Sequence, residues 1–279
     1  MSDTSPAQFP DAARYPKRKI VRAVKLMAEA RMELEEWAAN NPLVGRPVMQ
    51  EGGRRIDFVL DAREEPPFDS VTDTIGDALH NLRSALDYMV WTLAHVDGPP
   101  ERPQGIQFPV SATAKGWKKA QKDLEALPPA VLDRLATLQP VFFPTPQEAA
   151  LWHLHRLDIA DKHRDYLTAH SAWEAVDNKV VIQVSANTEV KFMQADPPLT
   201  GGGGELVGWW EFSKPLLSPP QGTVTVGALF MVRADPADPS LHLFEVIDKM
   251  PLAVEAVIDF VCGLQPTATT PEEPLKGYI

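Results

Sequence analysis

Apolar residues recur at three- and four-residue steps over much of the chain, which is the period of amphipathic helices. The pattern predicts four long helices, over about 15–40, 69–95, 146–168 and 240–262. It also predicts two shorter helices, near 112–124 and 129–138; the second lies between Pro128-Pro129 and Gln139-Pro140. Proline and asparagine follow several of these stretches and indicate where the helices end.

The period changes to two between about residues 172 and 234, which predicts β-strands. The expected strands cover 179–184, 188–193, 205–212 and 222–232. An earlier strand pair, 47–50 and 55–61, flanks Glu51-Gly-Gly-Arg54, a hairpin signal. Because helices and strands are segregated along the chain, the sequence predicts an α+β fold, a bundle of long helices packed with an antiparallel β-sheet.

We expect a single domain over 13–264, with a disordered segment at 1–12 and a flexible tail at 265–279. Within it, the helical part covers about 13–170, the sheet about 172–234 and a closing helix about 240–262. No long linker divides these parts, and one body is therefore the expectation.

Composition narrows the class of protein. The chain has 279 residues, 44% of them hydrophobic, and no run approaches the roughly 20 apolar residues of a membrane span. The first ten residues lack the apolar core of a secretory signal, and the lone Cys262 cannot form an internal disulfide, so a cytoplasmic location is expected. A net charge of -11 argues against a broadly basic nucleic-acid-binding surface but leaves room for a local one.

Candidate chemistry concentrates in two predicted helical segments, 77–88 and 153–164, which hold four of the seven histidines. In the first, Arg83 and Asp87 are four residues apart and suit an ion pair. His80 lies within reach of Asp77 and Arg83, a placement typical of a titrating histidine. The same face is also compatible with an ordinary solvated polar surface.

The second segment places Asp158, Asp161 and Asp165 on one stripe, beside His155 and Lys162. Apolar residues surround most of this helix, and buried carboxylates need partners. A structural ion-pair network, a catalytic polar cluster and simple solvent exposure are all compatible with the stripe.

Metal and cofactor motifs are weak. Asp77-x-x-His80 and His155-x-x-Asp158 put a carboxylate and an imidazole one turn apart on two helices, a spacing used in bundle-core metal sites. The first pair faces away from the leucine seam, however, and no Cys-x-x-Cys, His-Glu-x-x-His or P-loop occurs. We expect neither a metal nor a cofactor, and a metal-binding helical bundle remains an alternative.

Four short motifs resemble a widespread group of uncharacterised bacterial and phage proteins. These motifs are His80-Asn-Leu-Arg-Ser-Ala-Leu-Asp87, Phe108-Pro, Leu138-Gln-Pro and Asp161-Lys-His-Arg164, in that order. In that group the Phe-Pro pair is expected in a short strand. The resemblance covers about 70–170 and implies no particular reaction.

The chain also resembles HEPN domains, helical bundles that are often dimeric and are in many cases metal-independent ribonucleases. Their motif is an arginine and a later histidine with four to six residues between them. Arg156 and His163 match that spacing, with Leu157 where a polar residue is usual, whereas Tyr88 stands where Arg83 would need its histidine. The resemblance implies RNA as substrate and a homodimer.

The first hypothesis is therefore a cytoplasmic, metal-independent ribonuclease of defence or toxin type. Its candidate catalytic residues are His163, Arg83, His80, Asp158 and Asp161. A histidine, His163 first and His80 second, would transfer the proton, and Arg83 would stabilise charge on the phosphate. The second hypothesis is a non-catalytic protein that binds a protein partner, in which the His-Arg-Asp network is structural. No membrane interaction is expected.

Overall fold

The structure is a computed structural model that describes residues 7–163, 167–195 and 203–264. Six α-helices lie in this part of the chain. They are α1 (Pro10–Asn40), α2 (Phe68–Ala94), α3 (Ala114–Asp123), α4 (Pro129–Thr137), α5 (Ala150–His163) and α6 (Leu243–Val261). The strands are β1 (Val44–Met49), β2 (Arg55–Leu60), β3 (Thr168–Val181), β4 (Val190–Gln194), β5 (Leu206–Phe212), β6 (Gln221–Arg233) and β7 (Leu241–His242).

The chain divides into two compact units that interleave in sequence. The first comprises 1–30, 72–168 and 233–279, and the second comprises 31–71 and 169–232. The predicted tail at 265–279 lies outside the described residues. The start of the chain differs from expectation, because α1 begins at Pro10 and Phe9 donates its backbone N–H to the carbonyl of Cys262 at 2.8 Å.

The first unit contains most of the helices, and their buried faces follow the predicted apolar period. The seam of α2 is fully buried at Leu79, Leu82 and Leu86, each 0% exposed. Burying side chains of this size contributes roughly 1.5–3 kcal/mol each. In α6, Cys262 follows the last turn and is also 0% exposed. Burial, together with the charge of Asp259, raises the pKa of its thiol to about 12, so it is an unreactive core residue.

The second unit is built on an antiparallel sheet curled into a half-barrel, with strand order β3-β6-β1-β2-β5-β4. The predicted hairpin is confirmed: β1 and β2 pair in register from Gly45 opposite Leu60 to Met49 opposite Ile56. The connection needs positive φ angles at Gly52 (79°) and Gly53 (63°), which glycine adopts without steric cost. The next pairing, β2 with β5, carries a bulge between Phe58 and Val59.

The α+β class is confirmed, but the description as a bundle of long helices is wrong. Three of the six described helices are short, with 10, 9 and 14 residues. The expected helix over 146–168 is shorter, because Pro146–Glu148 forms a 3₁₀ turn and β3 already begins at Thr168. Among the described helices, none is long and apolar enough to cross a membrane.

Candidate functional site

Within the first unit, α2 and α5 bring a histidine and a buried carboxylate together. His80 Nδ1 lies 3.3 Å from Asp158 Oδ1, and Lys162 Nζ donates to Asp158 Oδ2 at 2.7 Å. The Asp158 side chain is 3% exposed, whereas that of His80 is 51% exposed. A buried carboxylate is stable when both oxygens have charged or hydrogen-bonding partners, and Asp158 meets that condition.

The contact with Asp158 orients the imidazole of His80. An ionised carboxylate can only accept hydrogen bonds, so Nδ1 must carry the proton that is donated to Asp158. The other nitrogen, Nε2, is then the acceptor, and it lies 3.5 Å from the hydroxyl oxygen of Ser84, one helical turn along α2. The ring therefore presents a basic nitrogen next to a hydroxyl at a half-exposed surface.

Asp161 lies on the same α2–α5 seam, directly over Gly76. A Cβ atom added at Gly76 would come within 2.2 Å of Asp161 Oδ1, so the carboxyl occupies space that only glycine leaves open. Burial raises the pKa of Asp161, and the negative charges of Asp158, Asp77 and, last, Asp73 raise it further, against the opposing effect of His80. Asp161 is thus a carboxyl group that gives up its proton less readily than usual.

Arg83 has a different surrounding from the one expected. Its side chain is buried, and Nη2 donates both to Asp87 Oδ1, at 3.0 Å, and to the carbonyl oxygen of Phe108. Asp87 Oδ1 in turn accepts the backbone N–H of Phe108 at 2.8 Å. The predicted Arg83–Asp87 pair is confirmed. Its arginine is buried against a backbone segment, whereas the Asp87 side chain stays partly exposed.

Contacts of this kind account for two of the sequence motifs, Phe108-Pro and Leu138-Gln-Pro. The Phe108-Pro pair belongs to a loop, not to the expected short strand, and side chains from α2 satisfy its backbone groups. The Leu138-Gln-Pro motif works in the same way. Gln139 is 0% exposed; its side-chain oxygen accepts the N–H of Ser111 and its side-chain nitrogen donates to the carbonyl of Leu135. Both motifs hold loops in place.

The remaining histidines of the second segment are less suited to proton transfer. Burial, and then the positive charge of Arg83, lower the pKa of His155 to about 4. His153 is buried with Nε2 2.7 Å from the carbonyl oxygen of Gln147, and burial lowers its pKa as well. Both are therefore neutral at pH 7.

His163 is the last residue of α5, and its side chain and that of Asp165 lie outside the described part of the chain. The arginine that precedes it at HEPN spacing is engaged elsewhere, because Arg156 pairs with Asp238 at 2.9 Å. The structure therefore brings together His80, Asp158 and Asp161, sets Arg83 apart from them as a buried clamp, and does not describe the side chain of His163.

A basic segment next to this site was missed in the sequence analysis. Six cations and no acid fall between residues 14 and 25: Arg14, Lys17, Arg18, Lys19, Arg22 and Lys25. Lys19 Nζ lies 3.5 Å from the side-chain oxygen of Asn81, the neighbour of His80. The run of charges is visible in the sequence, but the whole-chain value of -11 concealed it.

In the part of the chain that the structure describes, no three or more histidine, cysteine, aspartate or glutamate side chains are grouped so that they could hold a metal ion. The chain matches no protein-family model, no curated protein and no solved structure.

Proposed function

We propose that this chain is a metal-independent ribonuclease in which His80 is the general base. One observation carries the proposal: a buried carboxylate, Asp158, orients a half-exposed imidazole whose second nitrogen, Nε2, lies 3.5 Å from a hydroxyl oxygen, that of Ser84. Histidine is the side chain that most often transfers protons near neutral pH. The resemblance to HEPN domains points to the same reaction class.

The reaction would proceed by attack of the ribose 2′-oxygen on the adjacent phosphorus. Nε2 of His80 takes the proton of the 2′-OH as the O–P bond forms. The P–O5′ bond breaks, and the leaving 5′-oxygen takes a proton from water. Asp158 stabilises the imidazolium that results, since its carboxylate faces Nδ1. The products are a 2′,3′-cyclic phosphate and a 5′-hydroxyl end.

The roles of the other candidate residues follow from their surroundings. Arg83 is 6% exposed and occupied by Phe108, so we assign it to positioning α2 and not to the phosphate. The cations of α1 near Asn81 are better placed to offset charge on the phosphate. Asp161, with its raised pKa, is the neighbour best suited to hold a proton next to the base. His163 is kept as a second proton-transfer candidate.

A non-catalytic binding protein is the second candidate, and specific contacts favour it. Lys162 already pairs with Asp158 at 2.7 Å, and the Arg83–Asp87–Phe108 clamp supports a structural role for part of the polar network. In this case the His80–Asp158 contact would only stabilise the packing of α2 on α5, and a protein partner would be expected.

Cleavage of an unstructured, fluorescently labelled RNA in EDTA decides between the two. We expect wild type to cut it and His80→Ala to be roughly 10²–10⁴-fold slower, the usual contribution of general acid–base catalysis. His95→Ala, compared in kcat at saturating RNA, is the matched control. His95 follows the same helix, and its ring contacts the backbone carbonyl and the ring of Trp91, not Asp158. An inactive wild type, or equal loss in both variants, would leave the binding function.

A further inference from the structure

The basic segment of α1 forms one wall of a concave surface in the first unit. A cavity of about 240 Å³ is lined by Tyr15, Arg18, Lys19, Arg22 and Asn81. The four α1 residues are spaced by three, one and three, which places them on one helix face. Asn81 contributes the opposite wall from α2.

The cations of this cavity are not consumed by ion pairs. Lys17, on another side of α1, bonds Asp259 at 2.8 Å and is structural. Arg18, Lys19 and Arg22 have no acidic partner among the residues for which the structure gives side-chain contacts. Three unneutralised cations around one cavity concentrate positive potential, although the whole chain carries -11.

Exposed aromatic rings continue this surface along α2. Tyr15 and Tyr88 meet edge to face at 4.8 Å and are 46% and 43% exposed. Trp91, three residues after Tyr88, is 42% exposed. Tyr88 and Trp91 line a second cavity of about 240 Å³ together with Ser84, whose hydroxyl faces His80.

Cations beside partly exposed aromatic rings are the combination that binds single-stranded nucleic acids, since cations follow the phosphates and rings stack on unpaired bases. Lys19 lies 5.8 Å from the centre of the Tyr88 ring, and the His95 ring lies 4.5 Å from that of Trp91, so a base would stack on the sides of these rings that stay exposed. We infer that the surface formed by Arg18, Lys19, Arg22, Tyr88 and Trp91 binds single-stranded RNA without sequence preference. The phosphates of the RNA lie along α1 and its bases stack on the rings of α2. This path leads the strand past Ser84 to His80. The choice of RNA over DNA rests on the proposed function. The inference that this surface binds a single strand rests on the cations and rings alone.

The test is binding without cleavage. The probe is a labelled 12-nucleotide 2′-O-methyl oligouridylate, which has no 2′-OH to react, titrated with full-length protein by fluorescence anisotropy in EDTA. Each phosphate contact to a single strand contributes about 0.7 to the slope of log Kd against log salt. Arg18→Gln/Arg22→Gln should therefore lower the slope by about 1.4 and weaken binding at low salt at least tenfold.

The matched control is Lys118→Gln/Lys119→Gln, which removes the same charge from exposed residues of α3. It should bind as wild type does. Tyr88→Ala should weaken binding about tenfold through loss of stacking, and duplex RNA of equal length should bind more weakly than the single strand. Circular dichroism and melting temperature confirm that each variant is folded.

Two results would overturn the inference: wild type that does not bind the oligonucleotide in a salt-dependent way, or equal weakening by the α1 and α3 variants. These outcomes are separable from failure of the ribonuclease proposal. Normal binding with no cleavage of unmodified RNA rejects only the catalytic role of His80. Normal cleavage, with KM unchanged in Arg18→Gln/Arg22→Gln, rejects only the binding surface.

Discussion

Two polar clusters that each include residues of helix α2 contain similar residue types and have opposite surroundings. The open cluster consists of His80, Asp158 and Lys162, with an imidazole that is 51% exposed. The closed cluster consists of Arg83, Asp87 and the backbone of Phe108, with a guanidinium that is 6% exposed. The imidazole of the first is open to solvent, whereas the guanidinium of the second is not. His80 and Arg83 are three positions apart on α2, so their residue types alone do not reveal the function of either.

The largest effect on stability is expected from breaking the closed cluster. Arg83→Ala leaves the carbonyl of Phe108 without its side-chain donor and Asp87 Oδ1 with only the N–H of Phe108, and removing one partner of a buried charged pair costs about 3–5 kcal/mol. Because the Asp87 side chain is 35% exposed and can be hydrated, we expect about 3 kcal/mol. Urea denaturation measures the difference.

His80→Ala provides the contrast. The ring of His80 is half exposed, and when it is removed the charge of its partner, Asp158, is still neutralised by Lys162. We expect a loss below about 1 kcal/mol, within the range of surface substitutions. Equal losses for Arg83→Ala and His80→Ala would show that the open cluster is as structural as the closed one.

The sequence was sufficient for the periodic parts of this comparison and insufficient for the rest. The leucine seam of α2 placed Arg83 and Asp87 on one flank, and their ion pair followed from four-residue spacing. The burial of Arg83 did not, because it depends on Phe108, a loop residue 25 positions away. The His80–Asp158 contact spans 78 positions and could only be posed as a hypothesis about two helices.

The same limit explains the shorter α5 and the early start of β3. Residues 146–168 carry enough apolar side chains for a helix, yet Pro146 fixes a 3₁₀ turn and the strand pairs by long-range hydrogen bonds. Helical propensity is a weak prior where tertiary packing competes.

A second prediction concerns Asp158, which links the open cluster to the core. Asp158→Asn keeps the shape but loses the charge that orients His80 and pairs Lys162. We expect cleavage at least tenfold slower and a loss of about 1–2 kcal/mol, because both partners can be hydrated. Lys162→Gln is the control. It removes the ion pair but leaves the contact with His80, so its activity should stay near that of wild type.

The pH dependence of stability sharpens the comparison at His155. Arg83 of the closed cluster and Asp158 and Lys162 of the open cluster all affect the pKa of this histidine. Burial and Arg83 lower its pKa to about 4 in the folded chain, against about 6.5 in the unfolded chain. Above pH 6.5 both states are neutral and the group has no effect. As pH falls toward 4, only the unfolded chain binds the proton, so unfolding becomes more favourable.

Thermal melts at pH 7 and pH 5 test this, a window chosen because most carboxylates titrate below it. His155→Gln should lose less stability between the two pH values than wild type does, and Arg83 should be part of the cause. His95→Gln is the control and should keep the wild-type pH dependence. If His155→Gln lost as much stability between pH 7 and pH 5 as wild type does, the lowered pKa of His155 would be contradicted.

The smallest effect is expected at Gly76, where α2 leaves room for Asp161. Gly76→Ala gains up to about 1 kcal/mol of helix propensity, but the new Cβ would meet Asp161 Oδ1 at 2.2 Å. Asp161 is an exposed residue whose carboxyl is only partly shielded from water where it lies over Gly76. The carboxyl can therefore rotate away at small cost, and the melting temperature should change by a few degrees at most. Once displaced from the seam, the carboxyl should regain an ordinary pKa, since burial and Asp158 are what raise it.

A double-mutant cycle isolates that displacement from the helix effect. In an Asp161→Ala background nothing opposes the added methyl group, so Gly76→Ala should show its full stabilisation of about 1 kcal/mol. Carboxyl titration by NMR reads the pKa of Asp161 directly. If that pKa stays raised in Gly76→Ala, contacts other than the space above Gly76 keep the carboxyl in place. If it falls while RNA cleavage is unchanged, Asp161 belongs to the packing of the open cluster and not to its chemistry.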